Sequence, residues 1–419
     1  MTDRRDTASH APGAVPFAVL ADDLTSAAEA AGRLADSGRA ASVVLDADAP
    51  PPRGGGAWPC LDLDTRALAP GAAAALHARA ARRLAAAAGG GRLGVYKTMD
   101  SSLRGNWPAE LAAVLRACDR RVAVVAPAYP AYGRHTVGGR QYAEGLPVHE
   151  GPAGRDPVRP VRDPSVVALL AGAGLAASGV APGALPDALA AALGPRAAAG
   201  PPRALVVDAA SDGDLAEAAR AVRGVLDRIV VCGSPGLWEA LVPAPPGAYA
   251  ALEPGRALVL VGSLHPATRR QVDRLRAHGV PVVVTEAADA AGERGGTAQA
   301  VRRLLSAHDT VALVTPERTA PAPGEPDGER HLRALAEAGA ACARALPDLG
   351  LVLCGGDTAR AVALALGAPA LRVAGSIAPG IALGTLEGPC ARRVISKAGG
   401  FGDPSSLVAA AAALTGRTP

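Results

Sequence analysis

The chain of 419 residues holds 43 lysine and arginine residues, and only two of them are lysines, Lys97 and Lys397. Each lies in a short polar segment that also contains glycine. Lysine carries a compact charge on a flexible stem and arginine a rigid fork, so the two are not interchangeable against a moving phosphate or carboxylate. The pattern therefore indicates lysines kept for chemistry. The alternative is chance survival in a composition rich in alanine and arginine.

The segment 97–106 is the strongest chemical signal in the first half. It follows an apolar run and precedes Pro108, a favoured residue of a first helical turn. Its polar residues are Lys97, Thr98, Asp100, Ser101, Ser102, Arg104 and Asn106. Gly105 lets the backbone approach a ligand closely. A plain connecting loop needs no such set, so we interpret the segment as a ligand-binding loop.

Two adjacent carboxylates, Asp22 and Asp23, follow the apolar run 17–21 and precede a helical pattern. A helix cap uses only one carboxylate, and like charges held together are costly. The second carboxylate can accept the proton of a substrate hydroxyl. Arg66 follows another such run and can bind a substrate carboxylate through two parallel hydrogen bonds, although a solvated loop arginine is an equal alternative.

The second half carries four turns built on small residues, at 262–268, 355–358, 375–380 and 398–402. Exposed amides and the positive end of a helix make such turns suited to phosphate, and four of them suggest a nucleotide. Neither a Walker loop nor a G-x-G-x-x-G segment with a ribose-binding acid occurs. The nucleotide would therefore be held by a different arrangement.

Short valine- and leucine-rich runs alternate with helical stretches along the whole chain, which is typical of parallel strands covered by crossover helices. The predicted fold is two doubly wound α/β domains, at 1–245 and 255–419, with an active-site cleft between them. The proline-rich stretch 242–254 is predicted as the linker. The segments 171–202 and 318–330 are predicted as loops or insertions. The tyrosine-rich segment 127–140 is predicted as a stiff loop that faces a ligand or covers a sheet edge.

Composition excludes several classes of protein. The net charge is only +4 and the arginines are interspersed with acids, so nucleic acid is not an expected partner. No apolar run is long enough to span a membrane, and no secretory signal is recognisable. The six cysteines are dispersed along the chain, as free thiols are in a reducing compartment, so a cytoplasmic protein is expected. The eight histidines show no zinc-binding spacing, so no protein ligands to a metal are assigned.

These segments together resemble the four-carbon acid sugar kinase family, the ATP-dependent kinases of threonate, erythronate and 3-oxo-tetronate. The family patterns are A-D-D-[LF]-T-G-A, D-S-R, K-x-x-D-S-T-L-R-G-N, P-A-x-P-x-x-G-R, G-S-x-x-x-x-T, G-G-[ED]-T and K-x-G-x-F-G. They stand here at 21–27, 64–66, 97–106, 127–134, 262–268, 355–358 and 397–402. This chain has Ser26 where the family has glycine and Ser376 where it commonly has glutamate, which bears on substrate choice or nucleotide affinity.

The resemblance implies an ATP-dependent kinase that phosphorylates the terminal hydroxyl of a four-carbon sugar acid to its 4-phosphate, with Mg²⁺ as cofactor. It implies catalytic roles for Asp22, Asp23 and Lys97. It implies substrate binding by Arg66, Asp100, Ser101, Arg104, Gly105 and Asn106. It implies ATP binding by Ser263, Gly355, Gly356, Asp357, Thr358, Gly399 and Gly400. Closure of the two domains would exclude water. A homodimer is compatible with these expectations.

Two other functions fit the residues. A regulator that binds a sugar acid and a nucleotide without turnover would retain both sites. A sugar isomerase or aldolase would use Lys97 to form a Schiff base. Release of ADP with a four-carbon acid separates the kinase from the regulator, and borohydride trapping would reveal the aldolase.

Overall fold

The first half forms a parallel sheet of eight strands. The computed structural model describes residues 17–46, 58–89, 92–156, 160–195, 200–245, 253–285, 296–317 and 327–417. The strands of this sheet are β1 (Phe17–Ala21), β2 (Ala41–Val44), β3 (Trp58–Asp62), β4 (Gly94–Thr98), β5 (Val122–Ala126), β9 (Ala176–Val180), β10 (Arg203–Val207) and β11 (Val230–Gly233). They lie in the order β2-β3-β1-β4-β11-β5-β10-β9.

Helices cover both faces of this sheet. They are α1 (Leu24–Asp36), α2 (Pro70–Ala87), α3 (Trp107–Ala117), α4 (Val166–Gly172), α5 (Leu185–Leu193), α6 (Asp212–Val222) and α7 (Pro235–Leu241). Alternate residues of β1 enter different cores: Phe17 and Val19 pack on the α1 side, and Leu20 packs on the side of α2 and α3. Burial on both faces explains why these strands are continuous apolar runs.

The second half adds a mixed sheet. Its strands are β12 (Arg256–Val261), β13 (Val282–Val284), β14 (Thr310–Val314), β15 (Leu349–Cys354), β16 (Ala370–Ala378), β17 (Ile381–Glu387) and β18 (Arg392–Lys397). Its helices are α8 (Pro266–Ala277), α9 (Gly296–Leu305), α10 (Asp327–Ala345), α11 (Gly356–Ala365) and α12 (Ser406–Thr415). The order is β13-β14-β12-β15-β18-β17-β16, parallel as far as β18 and antiparallel through β17 to β16.

The two sheets are joined edge to edge. Strand β16 pairs antiparallel with β2, with Ala370 opposite Val44 and Val373 opposite Ala41. Among the described residues this gives one continuous sheet of 15 strands. The predicted α/β class and its parallel strands are confirmed. The sequence did not predict that an antiparallel meander would pair the two halves into one sheet.

Some local predictions were wrong. The segment 171–202, predicted as a loop, contains β9 and α5; β9 reads A-A-S-G-V and forms an outer strand of the sheet, so it lacks the apolar run of a central strand. In the stiff loop predicted at 127–140, a short 3₁₀ turn is followed by a small antiparallel sheet of β6 (Arg134–Val137), β7 (Arg140–Ala143) and β8 (Leu146–Pro147). Strands β17 and β18 were not predicted. Most of the predicted linker, 246–252, and residues 318–326 of the second predicted loop lie outside the described residues.

All six cysteines are free. In the parts of the chain that the structure describes, no helix combines the length and the apolar character needed to cross a bilayer.

Candidate active site

The two adjacent carboxylates are held by Arg66 at the carboxyl end of β1. Asp22 Oδ2 and Oδ1 accept hydrogen bonds from Arg66 Nε at 2.8 Å and Nη2 at 3.1 Å, and Asp23 Oδ2 accepts one from Nη1 at 2.6 Å. Asp23 also caps α1, because its Oδ1 accepts from the Ser26 amide at 2.8 Å. Burial raises the pKa of Asp22, but Arg66 and Lys97 outweigh that effect and leave its pKa below the ordinary value. Asp22 is therefore ionised, and Arg66 is already paired within the protein.

Lys97 belongs to a buried network next to this pair. Its side chain has no exposed surface, and its Nζ lies 2.9 Å from Glu110 Oε2. Glu110, on α3, also accepts a hydrogen bond from Thr65 Oγ1 at 2.6 Å. Burial lowers the pKa of Lys97, yet the carboxylates of Glu110 and Asp22 raise it above its ordinary value overall. Lys97 is thus a charged group locked in place, and its charge acts on Asp22.

Glu110 is a residue that the sequence reasoning missed. It lies on the buried face of α3 together with Trp107, Leu111 and Val114, at the spacing of one helical stripe. A single carboxylate in an otherwise apolar stripe was the available signal. A buried charge needs a partner, and the sequence analysis gave Lys97 a catalytic role without considering it as the partner of Glu110. His77 Nδ1 lies 3.7 Å from Glu110 Oε1, and burial lowers the pKa of His77 to about 4, so the imidazole is neutral.

The remainder of the segment 97–106 folds around Asp100. Its carboxylate accepts from the Arg104 side chain at 3.0 Å and 2.9 Å, and from the amides of Ser102 and Arg104 at 3.2 Å each. Gly105 has φ +91°, and a methyl group there would come within 3.0 Å of Asp22 Oδ2. Asn106 donates to the carbonyls of Thr65 and Leu68 at 2.9 Å and 2.8 Å. The segment therefore sets the position of both Asp22 and the Arg66 loop.

The glycine turns of the second half converge on one place. Thr268 Oγ1 donates to the carbonyl of Gly399 at 2.6 Å and to Ser263 Oγ at 3.2 Å. A methyl group on Gly399 would come within 2.4 Å of Ser263 Oγ. A methyl group on Gly355 would lie 3.4 Å from Ser263 Cβ, so the segments that follow β12, β15 and β18 meet here.

Gly355 links this meeting point to the start of α11. It caps the helix with φ +108°, in the region that favours glycine. Thr358 Oγ1 accepts from the amide of Gly262 at 3.1 Å. A methyl group on Gly400 would lie 3.4 Å from His265 Nε2, so Gly400 is beside His265 rather than inside the cluster.

The start of α11 faces the carboxylate pair. A methyl group on Gly356 would come within 2.9 Å of Asp23 Oδ2. Burial raises the pKa of Asp357, and the Asp23 and Asp64 carboxylates add to the rise. The amino end of a helix favours phosphate. A phosphate bound there would lie next to the Asp22–Asp23 pair.

Ion pairs also link the two halves of the chain. Arg360, on α11, donates to Asp62 Oδ2 at 2.7 Å, and its Nε lies 2.9 Å from Asp64 Oδ2. Burial raises the pKa of Asp62 to about 7, against the lowering effect of Arg360.

Aromatic rings of the two halves also meet. The Tyr132 and Phe401 ring centroids are 5.0 Å apart, and those of Tyr129 and Tyr132 are 4.7 Å apart. The tyrosine-rich segment and the final glycine turn thus touch each other.

Lys397 lies at the glycine cluster, whereas Ser376 lies away from it. The carbonyl of Lys397, at the end of β18, accepts from the amide of Gly355 at 2.9 Å. Its buried Nζ donates to the carbonyl of Ala398 at 2.9 Å and lies 3.9 Å from Cys354 Sγ. Ser376 contacts α1, because a methyl group on Gly32 would come within 2.5 Å of its Oγ, and its amide donates to Asp36 at 2.9 Å. The departure at 376 therefore affects the contact between β16 and α1 rather than the glycine cluster.

No group of three or more histidine, cysteine, aspartate or glutamate residues in the described ranges is arranged to hold a metal ion by itself. Magnesium usually takes one or two protein carboxylates and completes its coordination with substrate phosphates and water. Asp357, in the first turn of α11, fits that requirement.

Comparison with known proteins gives two family models. A sugar-binding N-terminal domain matches residues 17–241, and a nucleotide-binding C-terminal domain matches residues 258–407.

Curated relatives extend over nearly the whole chain. D-threonate kinase of Bordetella bronchiseptica is 35% identical over 412 residues, which cover 95% of this chain and 97% of that protein. 3-Oxo-tetronate kinase of Methylobacterium radiotolerans is 31% identical over 430 residues, covering 91% and 95%. A solved structure of a Salmonella typhimurium LT2 protein superposes with a TM-score of 0.75 at 22% identity, over 94% of this chain and 98% of that one, which shows a shared fold.

Proposed function

The chain belongs to the four-carbon acid sugar kinase family, and on that premise we propose that it transfers the γ-phosphoryl group of ATP to the terminal hydroxyl of a four-carbon sugar acid. The product is the 4-phosphate. D-Threonate is the substrate to test first, because D-threonate kinases are the relatives with 35%, 34% and 32% identity.

The observation that carries this proposal is the apposition of the start of α11 to Asp23. The helix amides and the converging glycine turns suit the phosphates of ATP, and the carboxylate pair suits a hydroxyl. Asp23 Oδ2 would lie only 2.9 Å from a methyl group on Gly356, so the two halves bring their reactive ends together. Phosphoryl transfer needs this positioning and charge neutralisation more than covalent catalysis.

The roles of the individual residues follow from their surroundings. Asp23 is the more exposed of the two carboxylates, at 8% against 1% for Asp22, and faces α11. We assign Asp23 to accept the proton of the hydroxyl and Asp22 to hold Arg66. Lys97 and Glu110 position Asp22 from below. Arg104, with 32% of its side chain exposed, binds the substrate carboxylate.

Magnesium neutralises phosphate charge when it is bound. Asp357, in the first turn of α11, is the residue that would hold it. The backbone amides at Ser263, Gly355, Gly356 and Thr358, together with the turn at Gly399 and Gly400, would bind the phosphates.

The surroundings of Lys97 argue against the aldolase alternative. A Schiff base needs an amine with a lowered pKa and access to a carbonyl substrate. Lys97 has a raised pKa, an ion pair with Glu110, and no exposed surface.

A panel of four-carbon acids tests the proposal. ADP release would be measured with D-threonate, D-erythronate and 3-oxo-tetronate, and phosphorus NMR of the product would locate the new ester. We expect ATP consumption with at least one acid and a phosphate on the terminal carbon. ATP consumption with none of them would refute the proposal, and a phosphate on another carbon would refute the assignment to the terminal hydroxyl.

A further inference from the structure

A small cavity lies beside the carboxylate pair, between α1, the carboxyl ends of β4 and β11, and the start of α7. Its lining includes Ser26, Glu29, Tyr96, Thr98, Ser234 and Trp238. It leaves about 20 Å³ for the centre of a water-sized group. That space suits one water or hydroxyl group and is too small for a whole sugar acid. Of the residues that the structure describes, no lysine or arginine lines it.

Two residues of this lining each carry a polar atom that has no hydrogen-bond partner among the described residues. These atoms are Thr98 Oγ1, on a residue with 6% exposure, and Glu29 Oε1. Other polar groups of the lining are engaged within the protein: Tyr96 donates to the Ser234 carbonyl at 2.7 Å, and Ser234 Oγ donates to the Ala128 carbonyl at 2.6 Å. Buried polar groups are normally paired with protein or bound water, so two such atoms beside one cavity indicate that a polar group binds there.

The charge of the cavity selects the chemistry of that ligand. Burial and the neighbouring Glu239 carboxylate raise the pKa of Glu29 to about 8, so near neutral pH Glu29 is mainly a protonated acid that can donate a hydrogen bond. A neutral carboxyl and a threonine hydroxyl both donate and accept, which matches a hydroxyl group. A substrate carboxylate would need a cation here.

The cavity is close enough to the reaction site to hold part of the same substrate. Ser26 lines the cavity, and its amide donates to Asp23 Oδ1 at 2.8 Å. Thr98 directly follows Lys97 at the end of β4. A four-carbon chain whose terminal hydroxyl lies at Asp23 can therefore place a neighbouring carbon at this opening.

Building on the proposed kinase function, we propose that this cavity binds a hydroxyl group of the four-carbon acid that is not phosphorylated, through Thr98 and Glu29. The two residues thereby help to determine which acid is accepted. A site built to hydrogen-bond a hydroxyl discriminates against analogues that lack it, because its buried groups are then left unpaired.

Three variants test the role of the two side chains. Thr98→Val removes the hydroxyl at nearly constant shape, and Glu29→Leu removes the carboxyl. Glu29→Gln keeps a donor and an acceptor. Removing one hydrogen bond changes affinity by up to about tenfold. We expect Thr98→Val and Glu29→Leu to raise the KM for D-threonate about tenfold, with the KM for ATP within about twofold, and Glu29→Gln to restore most of the loss.

Matched controls are Thr310→Val, at the amino end of β14, and Glu337→Gln, exposed on α10. Both should leave the two KM values unchanged. An unchanged KM for the acid in both Thr98→Val and Glu29→Leu would overturn the proposal. Equal rises in the KM values for acid and ATP would also overturn it.

Deoxy substrates give a second test, first on the wild type and then in combination with Thr98→Val. The wild type would be assayed with 3,4-dihydroxybutanoate and 2,4-dihydroxybutanoate, which lack the hydroxyl at C2 and C3 respectively. One of them should bind about tenfold more weakly than D-threonate. For that analogue, Thr98→Val should cause little further loss, because the interaction is already absent. If the loss of affinity caused by Thr98→Val adds in full to the loss caused by the missing hydroxyl, the proposal is overturned.

The design separates this inference from the proposed function. If the wild type releases no ADP with any acid, the kinase proposal fails, and calorimetry of D-threonate binding to wild type and Thr98→Val then decides the cavity. Binding that Thr98→Val weakens would support the cavity, whereas equal binding or none would overturn it.

Discussion

The two sides of the cleft are built differently. On the sugar-binding side, charged side chains are paired with one another, as Asp22 with Arg66, Lys97 with Glu110, and Asp100 with Arg104. On the nucleotide-binding side, glycine turns and hydroxyl groups meet through the backbone, as at Gly355 and at Gly399. We therefore expect substitutions that remove a charge to be most damaging on the first side. On the second side, substitutions that add a side chain to glycine should be most damaging.

The largest effect is expected from Asp23, which carries the proposed proton transfer. Asp23→Ala should lower kcat by about 10²–10⁴-fold, the usual contribution of a general base. Steady-state kinetics would measure this, with Asp273→Asn on the exposed face of α8 as control. Asp22→Ala should also lower kcat through the loss of Arg66 positioning. Near-wild-type turnover in both variants would remove the carboxylate pair from the mechanism.

The next effect is on stability and concerns the buried pair of Lys97 and Glu110. Glu110→Ala leaves an uncompensated buried charge and should lower the free energy of unfolding by about 3–5 kcal/mol. Urea denaturation measures it. Replacing Asp348 by asparagine at the exposed pair with Arg256 should cost only about 0–1 kcal/mol. Similar losses at both pairs would show that the sugar-binding side does not depend on buried charge.

The opposite side is tested by adding a side chain. Gly355→Ala places a methyl group where φ is +108° and 3.3 Å from Thr358 Oγ1. The strained backbone should cost about 1–3 kcal/mol and raise the KM for ATP more than that for the acid. Gly296→Ala, at the start of α9 with no atom within 4 Å, is the control. A larger rise in the KM for the acid would contradict the division between the two sides.

The pH-dependent effect concerns the link between the sides, Arg360 with Asp62. The pKa of Asp62 is raised to about 7 in the folded protein, so between its ordinary value and pH 7 the folded state binds more protons than the unfolded state. The Asp62 contribution to the free energy of unfolding is thus present at low pH and lost as the pH rises towards 7. Asp62→Asn should remove this part of the slope, at most about 1.4 kcal/mol per pH unit. The urea midpoints of unfolding would be measured for the wild type and for Asp62→Asn from pH 5 to 8. If the midpoint depends on pH equally in both proteins, the prediction is wrong.

The sequence predicted those strands whose local residues are sufficient to identify them. The central strands were predictable because burial on both faces requires unbroken apolar runs, as in F-A-V-L-A of β1. Strand β9 was not, because an outer strand tolerates A-A-S-G-V. Strand β18 begins with two arginines, and neither its register nor its partner β17 can be read from local sequence.

The residues of the site were easier to select than their partners. Asp22, Asp23 and Arg66 were selected because polar groups at strand ends meet at one edge of a sheet. That Arg66 pairs with both carboxylates, and that Lys97 pairs with Glu110, depends on the packing of α3 against the sheet. The roles of all these residues stay predictions until the variants are measured.

The pairing of β16 with β2 restricts how the enzyme can admit its substrates. The backbone ladder from Ala370 to Val373 crosses the boundary between the two family domains, so a wide swing of one domain would have to rupture it. Access to the cleft should instead come from a modest twist of the shared sheet and from rearrangement of the segments around Tyr132 and Phe401. Fluorophores placed on α6 and α9 should consequently report only a small change in separation during turnover.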